Sequence, residues 1–270
     1  MRVDEVLFHL ELYGWCVLED VIPEGEVGGV RESIEATAAE QVGNEPPDSN
    51  RVAVNIRNVI NVNQSFASYL ADERILGPAR AIFGPYIRMR SGKGFVEYPG
   101  TERSNLHADG PFIQSQPVCV TAPYQDATLQ LTTVWMLSHF TKENGGTILV
   151  PGSHRSKTNR TAGLDLPIPH PSEVQATGAA GSVLLFDNRL WHTGGANRSS
   201  EPRVGFLCLY FPWWLCQDQN RPPGTLERER LMEETGLNDE ELGAGTALVP
   251  RKVYEALPED VKPLLRHWVE

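Results

Sequence analysis

Between Tyr86 and Phe211 the chain is cut into short runs rich in β-branched and aromatic residues, each fenced by Gly, Pro, Asn or Ser. This texture limits the fold more than any other feature. The runs Tyr86–Arg90, Gly94–Tyr98, Pro117–Ala122, Thr128–Phe140, Thr147–Val150, Ser182–Phe186 and Val204–Phe211 read as strands. That many short strands manage their edges by closing on one another, so the expected core is a jelly-roll barrel over about residues 86–215. The first 85 residues read differently. Glu24–Gln41 carries Val27, Val30, Ile34 and Ala38 at helical spacing behind Pro23, which suits a helix opening. Helices are also expected over Gln64–Leu70 and Glu73–Phe83, and Gly14–Val21 reads as one strand after a helical start. A helical tail is expected over about 222–270, in the stretches Thr225–Gly236 and Pro258–Val269. The fold class is therefore mainly β with flanking helices. With no internal repeat and no pooled linker residues, one domain over 1–270 is the simplest organisation.

A formal net charge of -11 argues against a protein built to grip nucleic acid or anionic membrane. No stretch approaches the length of apolar residues needed to span a bilayer, and the start MRVDEVLFHLELYGW is too interrupted by charge for a secretory core. Cys16, Cys119, Cys208 and Cys216 show no C-x-x-C pairing and read as free thiols. The expectation is a cytoplasmic enzyme, monomer or homodimer, acting on a small molecule.

The chemistry concentrates in two places. In Asn105-Leu106-His107-Ala108-Asp109-Gly110, an imidazole and a carboxylate stand two residues apart, and on an extended segment both point to one side. Leu190-Trp191-His192-Thr193-Gly194-Gly195 offers a third donor beyond the strand Ser182–Phe186. Two His and one Asp fill one face of an octahedron and leave positions for a bidentate co-substrate and O2, a pattern of non-haem iron(II) oxygenases. Eleven residues past His192, Arg203 opens an apolar strand, where a guanidinium can grip a carboxylate bidentately.

A third block, Glu143-Asn144-Gly145-Gly146-Thr147 through Val150-Pro151-Gly152-Ser153-His154, begins and ends on turn signals. In order, H-x-D, E-N-G-G-T-x-x-V-P-G-S-H, W-H-x-x-x-x-N and a downstream Arg resemble the phytanoyl-CoA dioxygenase-like family, across Leu106 to Phe206. The resemblance implies a double-stranded β-helix, Fe(II) and 2-oxoglutarate as cofactors, and hydroxylation of a small molecule with release of succinate and CO2. It implies His107, Asp109 and His192 as metal ligands and Arg203 as partner of the distal carboxylate of 2-oxoglutarate. It also implies Trp135 beside the co-substrate and Thr147 as a nearby hydroxyl donor, although a Trp or a Thr on a strand more often serves simply as packing. Halogenating relatives replace the ligand carboxylate with a small residue, so Asp109 implies an oxygenase outcome, with desaturation, epoxidation and rearrangement as alternatives to hydroxylation.

His154 resembles a structural residue of the family. His139 shares a face with Trp135 and Leu137 by period two, which makes it either a cavity residue or core. His9, His170 and His267 have no ligand spacing. For the substrate, Arg90 and Lys93, with Arg88 and Arg57, have two readings: a grip on an anionic substrate or the second end of 2-oxoglutarate, and plain solvated charge. Strict alternation would send Arg88 and Arg90 to one face and Lys93 to the other. Phe112 and Trp213 are expected in an aromatic pocket wall, or in packing against the C-terminal helices. Two rivals stand beside the oxygenase: a zinc hydrolase on a cupin-like site, which has no use for Arg203, and a barrel that binds without turnover.

Overall fold

The computed structural model describes residues 1–42, 52–110, 126–157, 169–215, 224–236, 238 and 247–270. In chain order the elements are α1 (Val3–Tyr13), β1 (Trp15–Leu18), α2 (Glu24–Gln41), β2 (Ala53–Arg57), α3 (Glu73–Phe83), β3 (Ile87–Glu97), β4 (Leu131–Met136), β5 (Ile148–Leu149), β6 (Val174–Gln175), β7 (Val183–Asp187), β8 (His192–Thr193), β9 (Arg203–Pro212), α4 (Leu226–Thr235), α5 (Arg251–Ala256) and α6 (Lys262–Leu265). Two antiparallel sheets result, one of six strands in the order β1-β7-β4-β9-β3-β2 and one of three in the order β6-β5-β8.

Two apolar clusters divide the space. Phe95, Val134, Met136, Leu184 and Phe186 of the large sheet meet Leu149 of the small one and Ala176 just past β6, so this cluster fills the gap between the sheets. The other cluster lies on the outer face of the large sheet, where Met89, Val96, Trp135, Val204, Phe206 and Tyr210 meet Val27, Val30 and Ile34 of α2 and Ile75, Leu76 and Ala79 of α3. Burying each Val or Ile of that α2 stripe stabilises the fold by roughly 1.5–3 kcal/mol. The helix exists because its apolar residues fall on one side, and it lies where it does because that side has a sheet to cover.

The helices α2 and α3 run between the residues that the sequence indicates, and β1 lies within the run Gly14–Val21. Differences elsewhere have physical causes. The expected helix over Gln64–Leu70 is a single 3-10 turn, Ala67–Tyr69, and the expected C-terminal helix is split into α6 and a 3-10 turn at Arg266–Trp268. β2, β6 and β8 carry weak patterns of their own and exist because neighbours supply their ladders. The run Thr128–Phe140 forms a strand only over β4, and Pro117–Ala122 falls outside the described residues.

The most consequential difference lies in β3. The two expected runs Tyr86–Arg90 and Gly94–Tyr98 are one strand with a register shift between Arg90 and Lys93 against β9. A side chain at Gly92 would put its Cβ 1.5 Å from the carbonyl oxygen of Leu207, so the irregularity is built on a glycine. Arg90 lies opposite Leu209 and Lys93 opposite Leu207. Residues 207 and 209 share a face of β9, so Arg90 and Lys93 share one too, with Phe95 and Glu97, on the side toward the second sheet. The expectation that alternation separates Arg90 from Lys93 is corrected: the extra residue resets the period.

Candidate metal centre

His107, Asp109 and His192 converge. One potential donor atom from each lies within 4.8 Å of the other two. His107 Nε2 stands 3.7 Å from one Asp109 carboxylate oxygen and His192 Nε2 stands 3.6 Å from the other. Backbone pairing produces this meeting across 85 residues of sequence. His107 and His192 form an antiparallel bridge in which each N–H donates to the other's carbonyl, at 3.0 and 2.7 Å. Asp109 is steadied one residue on, where Gly110 N–H donates to the Asn188 carbonyl at 2.9 Å.

Each imidazole is oriented by its own segment. His107 Nδ1 lies 2.9 Å from the Asn105 carbonyl and His192 Nδ1 lies 2.9 Å from the Leu190 carbonyl. A carbonyl accepts only, so both rings carry their proton on Nδ1 and turn the Nε2 lone pair toward Asp109. Burial lowers the His192 pKa, with Asp109 opposing and His107 and Lys93 adding to the fall. The ring therefore stays neutral, as a ligand must. His192 is largely buried against Phe186, with ring centroids 4.8 Å apart, while half of the His107 side chain and over a third of Asp109 are exposed. Two imidazole nitrogens and one carboxylate converging on one point fit a non-haem divalent iron.

The turn motifs hold this centre in place. Asn144 closes its own turn, its Oδ1 accepting from Thr141 N–H and its Nδ2 donating to the His139 carbonyl. Gly145, at φ +82°, lies so close to Gly195 that a Cβ would fall 2.3 Å from the Gly195 carbonyl oxygen. The two glycine pairs thus set β5 against β8, with Leu149 opposite His192. Ser153 Oγ accepts from Trp191 N–H, and His154 is buried with Nε2 3.2 Å from the Glu11 carbonyl, which makes it a structural residue. Asn197 is buried and donates to the carbonyls of Glu97 and Glu201, folding the loop that delivers Arg203.

Arg203 is 2% exposed, its guanidinium over the rings of Phe140 (4.9 Å) and Phe95 (5.6 Å) and bonded through Nη2 to Glu97. Burial pulls its pKa down while Glu97 opposes the fall. A Cβ built on Gly194, two residues beyond His192, would lie 3.7 Å from Arg203 Nη2, so the cation borders the segment that carries His192. Thr147 is buried, immediately before β5.

Other expected residues fall elsewhere. Trp135 is fully buried on the outer face of β4, stacked on Phe206 at 5.1 Å with Nε1 donating to Thr133 Oγ1 at 3.1 Å. Val134 and Met136, its neighbours, are the residues that face the second sheet. The period-two alternation of β4 thus gives Trp135 a packing position on the helical side. His139 lies past the end of β4, exposed, its Nδ1 accepting from Ala180 N–H, so it neither lines a cavity nor fills the core. Trp213 follows the end of β9 and is 54% exposed; six residues of strand, about 20 Å, separate it from Leu207, the partner of Lys93. Phe112 lies outside the described residues. Sequence reasoning missed Glu97. Its signal was the one acid in the run Gly94–Tyr98, two residues from Phe95 and four from Lys93.

The family model described as phytanoyl-CoA dioxygenase matches residues 10–205. Dioxygenase af480 of Aspergillus fumigatus is 25% identical over 220 residues, covering 78% of this chain and 67% of its own. HygX from Streptomyces hygroscopicus, solved with nickel and 2-oxoglutarate bound, shares the fold at a TM-score of 0.62 and 20% identity, over 79% of this chain and 88% of that one. SnoN, a non-haem α-ketoglutarate-dependent epimerase from nogalamycin biosynthesis, does so at 0.59 and 19%, over 91% and 92%. The jelly-roll expected from the strand texture is the fold found.

Proposed function

The chain belongs to the phytanoyl-CoA dioxygenase family of iron- and 2-oxoglutarate-dependent oxygenases, and on that premise we propose that it hydroxylates an unactivated C–H bond of a small, anionic molecule. The observation that carries the co-substrate half of this reading is Arg203, a buried cation beside Gly194, two residues from the ligand His192. A zinc hydrolase has no use for that cation. His107, Asp109 and His192 would hold iron(II), which would supply a two-electron oxidising equivalent from O2 as 2-oxoglutarate is decarboxylated to succinate and CO2.

The chain's own residues do the rest. Arg203 binds the distal carboxylate and so fixes which end of the co-substrate faces the ligands, with Thr147 a candidate hydroxyl partner. Phe95, Phe140 and Phe186 line the space between the sheets and exclude water. Lys93 lies opposite Leu207, four residues along β9 from Arg203, about 13 Å, which is longer than a five-carbon diacid. Lys93 and Arg90 therefore suit the substrate better than the far end of 2-oxoglutarate, and they favour a carboxylate or phosphate on it. Asp109 keeps its place among the donors, and hydroxylation asks nothing more of the protein than a C–H bond held close by. The test is anaerobic addition of iron(II) and 2-oxoglutarate: a visible charge-transfer band is expected, absent in His107→Ala. Tight zinc with no affinity for 2-oxoglutarate would overturn the reading.

A further inference from the structure

The carboxylate on Arg203 belongs to the protein itself. Glu97 is the last residue of β3 and lies directly opposite Arg203, the first of β9. Its side chain bonds Arg203 Nη2 and keeps about a fifth of its surface accessible, whereas Arg203 is almost wholly enclosed and its Nε is buried with no hydrogen-bond partner among the described residues. The guanidinium thus has one donor engaged by Glu97 and another in reserve. Gly194 brings bare backbone to the pair: a Cβ there would be in ordinary van der Waals contact with Arg203 Nη2 (3.7 Å), Glu97 Oε1 (3.9 Å) and Ser104 Oγ (4.0 Å), so a cation, an anion and a hydroxyl meet at this glycine.

We propose that Glu97 is a positioning residue that holds Arg203 in place before the co-substrate arrives and then competes with the co-substrate's distal carboxylate for the same guanidinium, thereby setting how strongly the protein discriminates a diacid from its neutral analogue. The inference rests on the oxygenase reading above. An unpaired guanidinium in this enclosure would be costly, so the apoprotein gains from an internal partner. Once a second carboxylate enters, two anions share one cation and repel each other, an effect relieved in part if Glu97 swings toward its exposed side. The diacid therefore earns less from its distal charge than Arg203 alone would grant.

The experiment measures dissociation constants by calorimetry on the full chain loaded with nickel(II), which does not turn over, using 2-oxoglutarate and its 5-amide. The 5-amide keeps the chelating end and loses the distal charge. In the wild type the diacid should bind no more than about tenfold tighter than the amide, and in Glu97→Gln that ratio should widen by about tenfold. A merely structural role for Glu97 would shift both ligands together and leave the ratio fixed, and that result would overturn the proposal. Should Glu97→Gln fail to fold, the wild type decides alone: a ratio within tenfold supports the competing charge, and a larger one overturns it. Absence of any 2-oxoglutarate binding overturns the oxygenase reading and this inference with it, whereas binding with an unchanged ratio overturns only the inference.

Discussion

Replacing Arg203 by Met separates two roles that one side chain performs. Met keeps much of the aliphatic stem against Phe95 and Phe140 but leaves Glu97 without its partner. Removing one member of a buried pair costs roughly 3–5 kcal/mol. Glu97 retains about a fifth of its exposure and can recruit water, so the expected loss is smaller, about 2–3 kcal/mol in urea unfolding of the apoprotein. The co-substrate loses a charge-assisted partner worth at least about 2 kcal/mol, so its dissociation constant should rise roughly 30-fold or more. Nickel content should not change, because Arg203 is not among the three converging donors. The double variant Arg203→Met/Glu97→Gln is the discriminating protein. With the orphaned charge gone, stability should return to within about 1 kcal/mol of wild type, while 2-oxoglutarate affinity stays low. If the single variant binds 2-oxoglutarate as the wild type does, Arg203 is not the co-substrate residue. If the double variant is no more stable than the single, the ion pair is not what the mutation breaks.

Trp135→Phe tests the packing position found for that residue. It removes the bond to Thr133 Oγ1 and part of the stack on Phe206, so unfolding free energy should fall by about 1–2 kcal/mol with 2-oxoglutarate affinity unchanged; weakened binding at full stability would return Trp135 to the pocket. The buried thiols give a pH test. Burial pushes Cys16 and Cys208 up to about 12, so near pH 8 only about one in ten thousand of each is the reactive thiolate. Iodoacetamide followed by peptide mass spectrometry should leave both unlabelled in the native protein and label both after unfolding, and rapid native labelling of either would contradict the burial.

Legibility in the sequence followed how local each signal was. His107 and Asp109 were readable because a two-residue offset on an extended segment determines that they face one way. The α2 stripe was readable for the same reason at period 3.6, and Arg203 because an isolated cation opening an apolar strand stands out. The turn residues of Asn144-Gly145-Gly146 and of Pro151-Gly152-Ser153 announced chain reversals without saying what they pressed against. β8, only two residues long, had no pattern of its own and was invisible, because its ladder is supplied by β5 and by the His107 bridge.

Residue types and their local spacing in the sequence thus determined the strand-rich core, the three donors and the cation that accompanies them. The tertiary structure alone decided which face each strand turned inward. A register shift seated on Gly92 brought Lys93 to the side of Arg90, the alternation of β4 sent Trp135 outward, and the pairing of β3 with β9 set Glu97 against Arg203. A face depends on pairing partner and register, and one inserted residue reverses it. That information resides between strands, where no single segment carries it.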